Sequence, residues 1–355
     1  MAIKVDIIPH TLKFHFDART SRGSLKTKET FFIKLYDDST PYIYGVGECS
    51  PLSGLSPEYG SSYLPYLKSA CTQWENSNNP SYYKIIEQLS SYPSIQFGFE
   101  MAYMDFVGKG KRAFFVTGFE KGESRIPING LIWMGSRQFM FDQIKKKLNE
   151  GFECIKIKVG GIDFEEECGL LAYIRNEFSA EEITLRVDAN GAFSPKNAIE
   201  KLKRLSEFEL HSIEQPIKQG QLERMASLCE LSPIPIALDE ELIGVKDKKN
   251  LLETIKPPFI ILKPSLLGGF LATQEWIRTA EEMNIGWWIT SALESNIGLN
   301  AICQLTSAYP VEMPQGLGTG MLYSNNINSP LTVNSGEIYW DIHGNWDNSF
   351  FKAEV

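Results

Sequence analysis

Between Arg125 and Gly320 the chain repeats one unit, a short β-rich run followed by a helix-sized segment, and five successive runs close on an ionisable residue. The closures are Lys156-Ile157-Lys158, Arg186-Val187-Asp188, Ser212-Ile213-Glu214, Ala237-Leu238-Asp239 and Ile261-Leu262-Lys263. Lys158, Asp188, Glu214, Asp239 and Lys263 follow one another at intervals of 30, 26, 25 and 24 residues, one β/α unit each. About eight such strands in roughly 195 residues predict a (β/α) barrel rather than an open sheet. No Gly-x-Gly-x-x-Gly turn points to a dinucleotide fold.

The strands of a parallel barrel are buried on both faces, so an inward lysine costs several kcal/mol unless it is paired. In Glu153–Gly160, Ile155, Ile157 and Val159 alternate with Lys156 and Lys158, which sends both lysines to one face. Any one of Asp188, Glu214 or Asp239 could be the N-cap of the next helix. Capping does not explain Lys, Asp, Glu, Asp and Lys on five strands in a row. The C-terminal ends of barrel strands converge on one mouth, where these side chains are expected to meet.

Around this block, Arg137–Asn149 is expected to be a helix closed by Gly151, and Asp163 with Glu166 to start another. Ile126–Ile132 reads as the first barrel strand, and Val311–Pro314 as the last. The first 50 or so residues read as antiparallel strands at Ile3–Ile8, Thr11–Phe16 and Thr30–Tyr36. Arg19–Lys28 reads as a mobile polar segment, and Tyr44–Pro51 as a loop broken by glycines and proline. Helices are expected at Tyr63–Asn76, Ser81–Ser90 and Ile95–Val107, which makes the N-terminal third α+β. The C-terminal run Glu337–Trp340 is again β-like and is expected to rejoin that N-terminal part.

A net charge of −9 and the lack of a basic stripe argue against nucleic acid or an anionic membrane as partner. No run approaches the ~18 apolar residues of a membrane span, and the N-terminus does not read as a signal peptide. The six cysteines are dispersed, as expected of reduced thiols in a cytoplasmic protein. The expected partner is a small-molecule carboxylate; the sequence leaves the oligomeric state open.

Three carboxylates on adjacent strands form an all-oxygen donor set suited to a hard cation such as Mg2+. Only His211 is expected near the mouth. A lysine beside a second lysine and a dication has its ammonium form disfavoured, which makes it a usable base. A metal that holds a substrate carboxylate stabilises the charge left when the neighbouring C–H is deprotonated. The pattern therefore predicts proton abstraction α to a carboxylate.

The order Lys-x-Lys, Asp, Glu, Asp, Lys on consecutive strands resembles the enolase superfamily, in its muconate-lactonising-enzyme-like subgroup, which pairs a lysine or histidine base with Mg2+. The resemblance covers nearly the whole chain. It implies an α/β fold: a modified TIM barrel, (β/α)7β, over 123–321, with an α+β N-terminal capping domain over 1–122 completed by about 322–355. Its metal ligands fall on Asp188, Glu214 and Asp239, with Mg2+ expected and Mn2+ possible. Its lysines fall on Lys156, Lys158 and Lys263.

Within that subgroup the local text is most similar to the o-succinylbenzoate synthase family, the dehydratases of menaquinone synthesis. The similar stretches are Gly47–Leu52, Ile95–Ala102, Pro127–Ile132, Ser291–Gly298 and Gly316–Gly320. The resemblance implies a cyclohexadiene carboxylate substrate that carries a hydroxyl and a succinyl chain. Lys158 would be the base, Lys263 a stabilising charge, and Lys156 would tune Lys158. Asn129, Arg186, Asn190, Ser291, Glu294, Gly318 and Thr319 would touch the substrate or support the site. An N-acylamino-acid racemase or dipeptide epimerase is the alternative on the same frame. The lack of an acid in Met313–Thr319 argues against a free-amine substrate but not an N-acyl one. A non-catalytic barrel scaffold would be favoured by loss of any of the six matched residues, and none is lost.

Overall fold

The computed structural model describes residues 2–20, 23–77 and 87–351. Its N-terminal sheet is an antiparallel hairpin, β1 (Ile3–Thr20) and β2 (Gly23–Asp37), extended by β3 (Tyr44–Cys49) on β2. The two short strands expected at the start are one long strand, with a register shift between Lys13 and Ala18. Arg19–Lys28, expected to be mobile, is the paired tip of that hairpin wherever it is described. Its Leu25 packs near Leu52, Leu55, Leu266 and Ala292 above the barrel.

The glycines of Tyr44–Cys49 do not break a strand, as expected, but let a helix approach one. A Cβ on Gly47 would lie 1.8 Å from the carbonyl oxygen of Gly98, and one on Gly45 2.1 Å from that of Ala102. The approaching helix is α2 (Pro93–Val107), which follows α1 (Tyr63–Asn76). The helix expected at Ser81–Ser90 lies largely outside the described residues. Helix α2 is apolar on two sides, so it can be buried between two bodies. Ile95, Phe99 and Ala102 belong to the core under the sheet, while Phe97 and Met101 belong to the barrel core.

Asp105 of α2 is buried and accepts hydrogen bonds from the backbone N–H groups of Val46, at 2.9 Å, and Arg112. Burial pushes its carboxyl up to about 6, against the opposing pull of those donors and the Arg112 charge. The folded value lies above the unfolded one, near 3.9, so the proton is held more tightly in the folded state. That contribution to stability is complete below about pH 4 and is lost as pH rises through about 6, with a span of roughly 3 kcal/mol. The melting temperature of Asp105→Asn relative to the native protein is therefore expected to climb from pH 4 to pH 7. A difference independent of pH would show that Asp105 does not titrate in this way.

The barrel sheet runs in the order β11-β10-β9-β8-β7-β6-β5, all parallel: β5 Gly130–Ile132, β6 Cys154–Lys158, β7 Thr184–Asp188, β8 Ser212–Glu214, β9 Ile236–Leu238, β10 Phe259–Leu262 and β11 Gly286–Ile289. The eighth position is not the expected strand Val311–Pro314 but two residues further on. Gln315 bonds to Pro127 and Asn129, and Gly316 bonds to Ile289 and Ser291, closing the ring with four backbone hydrogen bonds. The expected strand Ile126–Ile132 is split at Asn129. Its first half, β4 (Arg125–Pro127), pairs instead with β13 (Glu337–Trp340) of the hairpin that β13 forms with β12 (Leu331–Asn334). Glu337–Trp340 thus joins the barrel's first strand rather than the N-terminal sheet. Other C-terminal residues do reach that sheet: Tyr323 bridges Phe14, and the Phe350 and Phe351 rings each lie 5.5 Å from Phe32.

The helix at Arg137–Asn149 has the expected bounds and is capped by Ser136. That at Phe164–Glu177 is capped by the Asp163 carboxylate, which accepts from Glu165 and Glu166 N–H. All six cysteines are free thiols. Among the described residues no helix is long and apolar enough to cross a membrane.

Candidate active site

The mouth holds a cavity of about 320 Å3. Lys156, Lys158, Asp188, Asn190, Lys263, Asn129, Ser291, Gly318 and Thr319 border it, and Phe16, Leu52 and Leu55 close it from the N-terminal side. Strand parity explains the convergence. Lys158 pairs with Asp188 and Asp188 with Glu214 in the sheet register, so the three side chains leave neighbouring strands at one level and on one face.

All six matched ionisable groups are brought together. Lys158 Nζ lies 2.8 Å from Asp188 Oδ2, and Lys156 Nζ lies 3.2 Å from the same oxygen. Lys156 also contacts Glu214, and Lys263 contacts Asp239. The carboxylates are at most 2% exposed, and the lysine side chains about a tenth. Glu214 and Asp239 do not border the cavity themselves, because Lys156 and Lys263 lie over them.

Electrostatics at this cluster are set by the lysine–carboxylate contacts. Burial alone would lower Lys156, but Asp188 and Glu214 outweigh it and raise the lysine above its ordinary value. Lys263 is raised in the same way by Asp239 and Glu214. Lys156 and Lys263 both stand against carboxylates, so their ammonium forms are favoured in this arrangement. Burial would raise Asp188, but Lys156 and Lys158 hold it well below the carboxylate range. Lys263 likewise lowers Asp239. Glu214, between two other acids, is pushed well up by burial and by Asp188.

Among the described residues no three acids, imidazoles or thiols are gathered into a finished cation cage, because each acid leans on a lysine. The donor chemistry nonetheless fits a hard divalent cation. Three adjacent carboxylates supply only oxygen, and Glu214 Oε1 is buried with no hydrogen-bond partner, 4.0 Å from Lys263 Nζ. His211 is not at the mouth. It precedes β8 at the opposite end of the barrel, its ring 5.0 Å from Phe259, and burial pushes its imidazole down to about 4.

The remaining expected residues divide in two. Asn190 touches Lys158 Nζ at 2.8 Å, and Asn129 Oδ1 is buried without a hydrogen-bond partner. Thr319 donates to Ser291, which donates to Glu294 at 2.7 Å. Glu294 stands behind this wall, fully buried, and also accepts from Ser265. Arg186 lies deeper in the barrel, its guanidinium 4.2 Å from the Trp288 ring and donating to Pro314 O at 2.7 Å. Glu294 and Arg186 therefore do not border the cavity.

Three participants were not singled out by the sequence. The Trp133 ring lies 5.8 Å from Lys158 Nζ. Glu48 of β3 accepts from Ser295 N–H, Ser295 Oγ and Gly298 N–H, tying the N-terminal sheet to the helix Asn296–Ser307. Lys28 is buried in the same junction, where burial lowers its ammonium pKa against the raising effect of Glu294 and Glu48. The Glu48 contacts join residues 247 and 250 positions apart, a pairing that neither Gly47–Leu52 nor Ser291–Gly298 reveals alone.

The family described as "Enolase C-terminal domain-like" matches residues 140–341. An o-succinylbenzoate synthase from Desulfotalea psychrophila is 46% identical over 354 residues, spanning 92% of this chain and 95% of that protein. The chain belongs to the enolase superfamily. A crystal structure described as MenC from Desulfotalea psychrophila LSv54 is 42% identical, with a TM-score of 0.84 over 96% of this chain and 100% of that one. A dipeptide epimerase from Cytophaga hutchinsonii, solved with Mg and a dipeptide, has the same fold at 20% identity. Its TM-score is 0.85 over 98% of this chain and 97% of that one. The modified TIM barrel with an added N-terminal sheet is the fold this superfamily chain shares with them.

Proposed function

We propose that this chain is an o-succinylbenzoate synthase, a hydro-lyase acting in menaquinone biosynthesis. The observation that carries the reading is the 46% identity along 92% of the chain to a protein of that name, with the six matched residues all present at one mouth. The substrate is a cyclohexadiene carboxylate bearing a hydroxyl and a succinyl chain.

Asp188, Glu214 and Asp239 hold the cation, Mg2+ or Mn2+, and the orphaned Glu214 oxygen supports that role. When bound, the cation supplies positive charge that stabilises the substrate carboxylate as negative charge develops on it. Lys158 takes the proton α to the carboxylate into its amine, and the C–H electron pair moves toward the carboxylate. The electrons return to form the ring double bond as the β C–O bond breaks. Lys158, now ammonium, gives its proton to the departing hydroxyl, which leaves as water. Lys263 contributes fixed positive charge from the other side, and Lys156 keeps the carboxylates balanced. Asn129, Ser291, Gly318 and Thr319 border the substrate; Arg186, Asn190 and Glu294 hold that wall and the base in place.

Residues 1–122 with about 322–355 form the capping part, and 123–321 the catalytic part. Leu52 and Leu55 at the mouth support a capping role. Conversion of the cyclohexadiene substrate to its aromatic product, followed by ultraviolet absorbance with and without Mg2+, tests the reading. The rival activity needs both Lys158 and Lys263 to exchange an α-proton. Solvent deuterium entering both enantiomers of an N-succinyl amino acid, without turnover of the diene, would favour a racemase.

A further inference from the structure

The Asn190 carboxamide lies between two groups whose hydrogen-bonding character is fixed. Its Oδ1 accepts from Lys158 Nζ at 2.8 Å, and its Nδ2 donates to Glu240 Oε1 at 3.2 Å. The lysine N–H can only donate there and the carboxylate can only accept, so the amide has a single orientation. Backbone geometry holds the same residue: Asn190 has a φ of 44°, in the left-handed region, and its N–H donates to Asp188 Oδ1 at 2.9 Å. Glu240 is 2% exposed and does not border the cavity.

The consequence falls on Lys158. Its nitrogen has four tetrahedral directions. Cε takes one, Asp188 Oδ2 at 2.8 Å a second, and Asn190 Oδ1 a third. In the amine form both N–H bonds are then engaged, and the lone pair is left with the fourth. A free Asn190 amide could turn its NH2 toward Lys158, which would repel the N–H and draw the lone pair away from a substrate.

We propose that Glu240 is a positioning residue, fixing the Asn190 amide so that Lys158 presents its lone pair to the substrate C–H. This rests on the reading of Lys158 as the base. Glu240 also adjoins Asp239 and contributes to the charge around Lys263, so the test must separate a path through Asn190 from one through those neighbours.

The test compares Glu240→Ala, Asn190→Ala, the double variant and Glu240→Gln in the full-length protein. Each is assayed for kcat, KM and the primary deuterium isotope effect on dehydration, and for Mg2+ affinity by calorimetry with the metal alone. Either single alanine is expected to lower kcat about 10- to 100-fold, the scale of a misaligned reacting group. KM and Mg2+ affinity should change by less than about twofold, and the isotope effect on kcat should rise. The double variant should be no slower than Asn190→Ala, and Glu240→Gln, whose carbonyl still accepts from Nδ2, should recover most of the rate. Multiplying losses in the double variant, a change confined to KM or Mg2+ affinity, or no rescue by glutamine would overturn the proposal. A crystal structure of Glu240→Ala reads the positioning without reference to any substrate. A turned Asn190 and a displaced Lys158 Nζ would support it even if the dehydratase reading failed, and an unmoved pair would sink it.

Discussion

Lys158→Ala is expected to lower kcat for the cyclohexadiene substrate by at least about 1,000-fold, toward the upper end of what a positioned general base contributes. The fold and Mg2+ binding should survive, because Asp188 keeps a second lysine: Lys156 Nζ is 3.2 Å from the oxygen that Lys158 shares. Loss of one of two counter-charges is a smaller perturbation than the isolation of a buried carboxylate. Lys158→Arg sharpens the result. Arginine keeps the positive charge and can donate to Asp188 and Asn190, but it does not give up its proton near neutral pH. If Lys158 acted only as a charge, arginine would restore much of the rate; as the base, it restores almost none. Near-native turnover in either variant would remove Lys158 from the proton-transfer role.

The convergence of the six residues was legible because it depends on spacing. Ionisable residues one β/α unit apart at strand ends have few ways to be arranged in a closed parallel sheet, and alternation fixes which face Lys156 and Lys158 share. Helix Arg137–Asn149 was equally legible, with Gly151 just beyond its end.

Glycine has two opposite uses, and Gly45 and Gly47 were read as strand breakers when they serve a backbone contact between strand and helix. The eighth barrel position escaped because two residues making four hydrogen bonds leave no periodicity to detect. The run Asp239-Glu240-Glu241 shows a different limit. Glu240 turns to Asn190, while Glu241 turns to Gln215 and Gly220, and three acids in a row do not reveal which faces what.

Removal of the divalent cation carries the other large effect. Treatment with a chelator is expected to abolish dehydration, and Mg2+ to restore it. The melting temperature should rise with the logarithm of Mg2+ concentration, since a ligand at 100 times its Kd stabilises by about 2.7 kcal/mol. Glu214→Gln should lose both the activity and the Mg2+-dependent rise. The same substitution should leave the metal-stripped protein at least as stable as the native one near pH 7–8. Burial and the neighbouring acids already push the Glu214 carboxyl well up, and a glutamine carries no charge to be repelled by Asp188 and Asp239. A residue that merely paired with Lys156 would behave in the opposite way, because its neutralisation would strand a buried ammonium and lower the melting temperature. Parallel melts of native and Glu214→Gln protein, with and without Mg2+, therefore separate a carboxylate kept for a cation from one kept for a lysine. A Mg2+-dependent rise persisting in the variant would move the cation site away from Glu214.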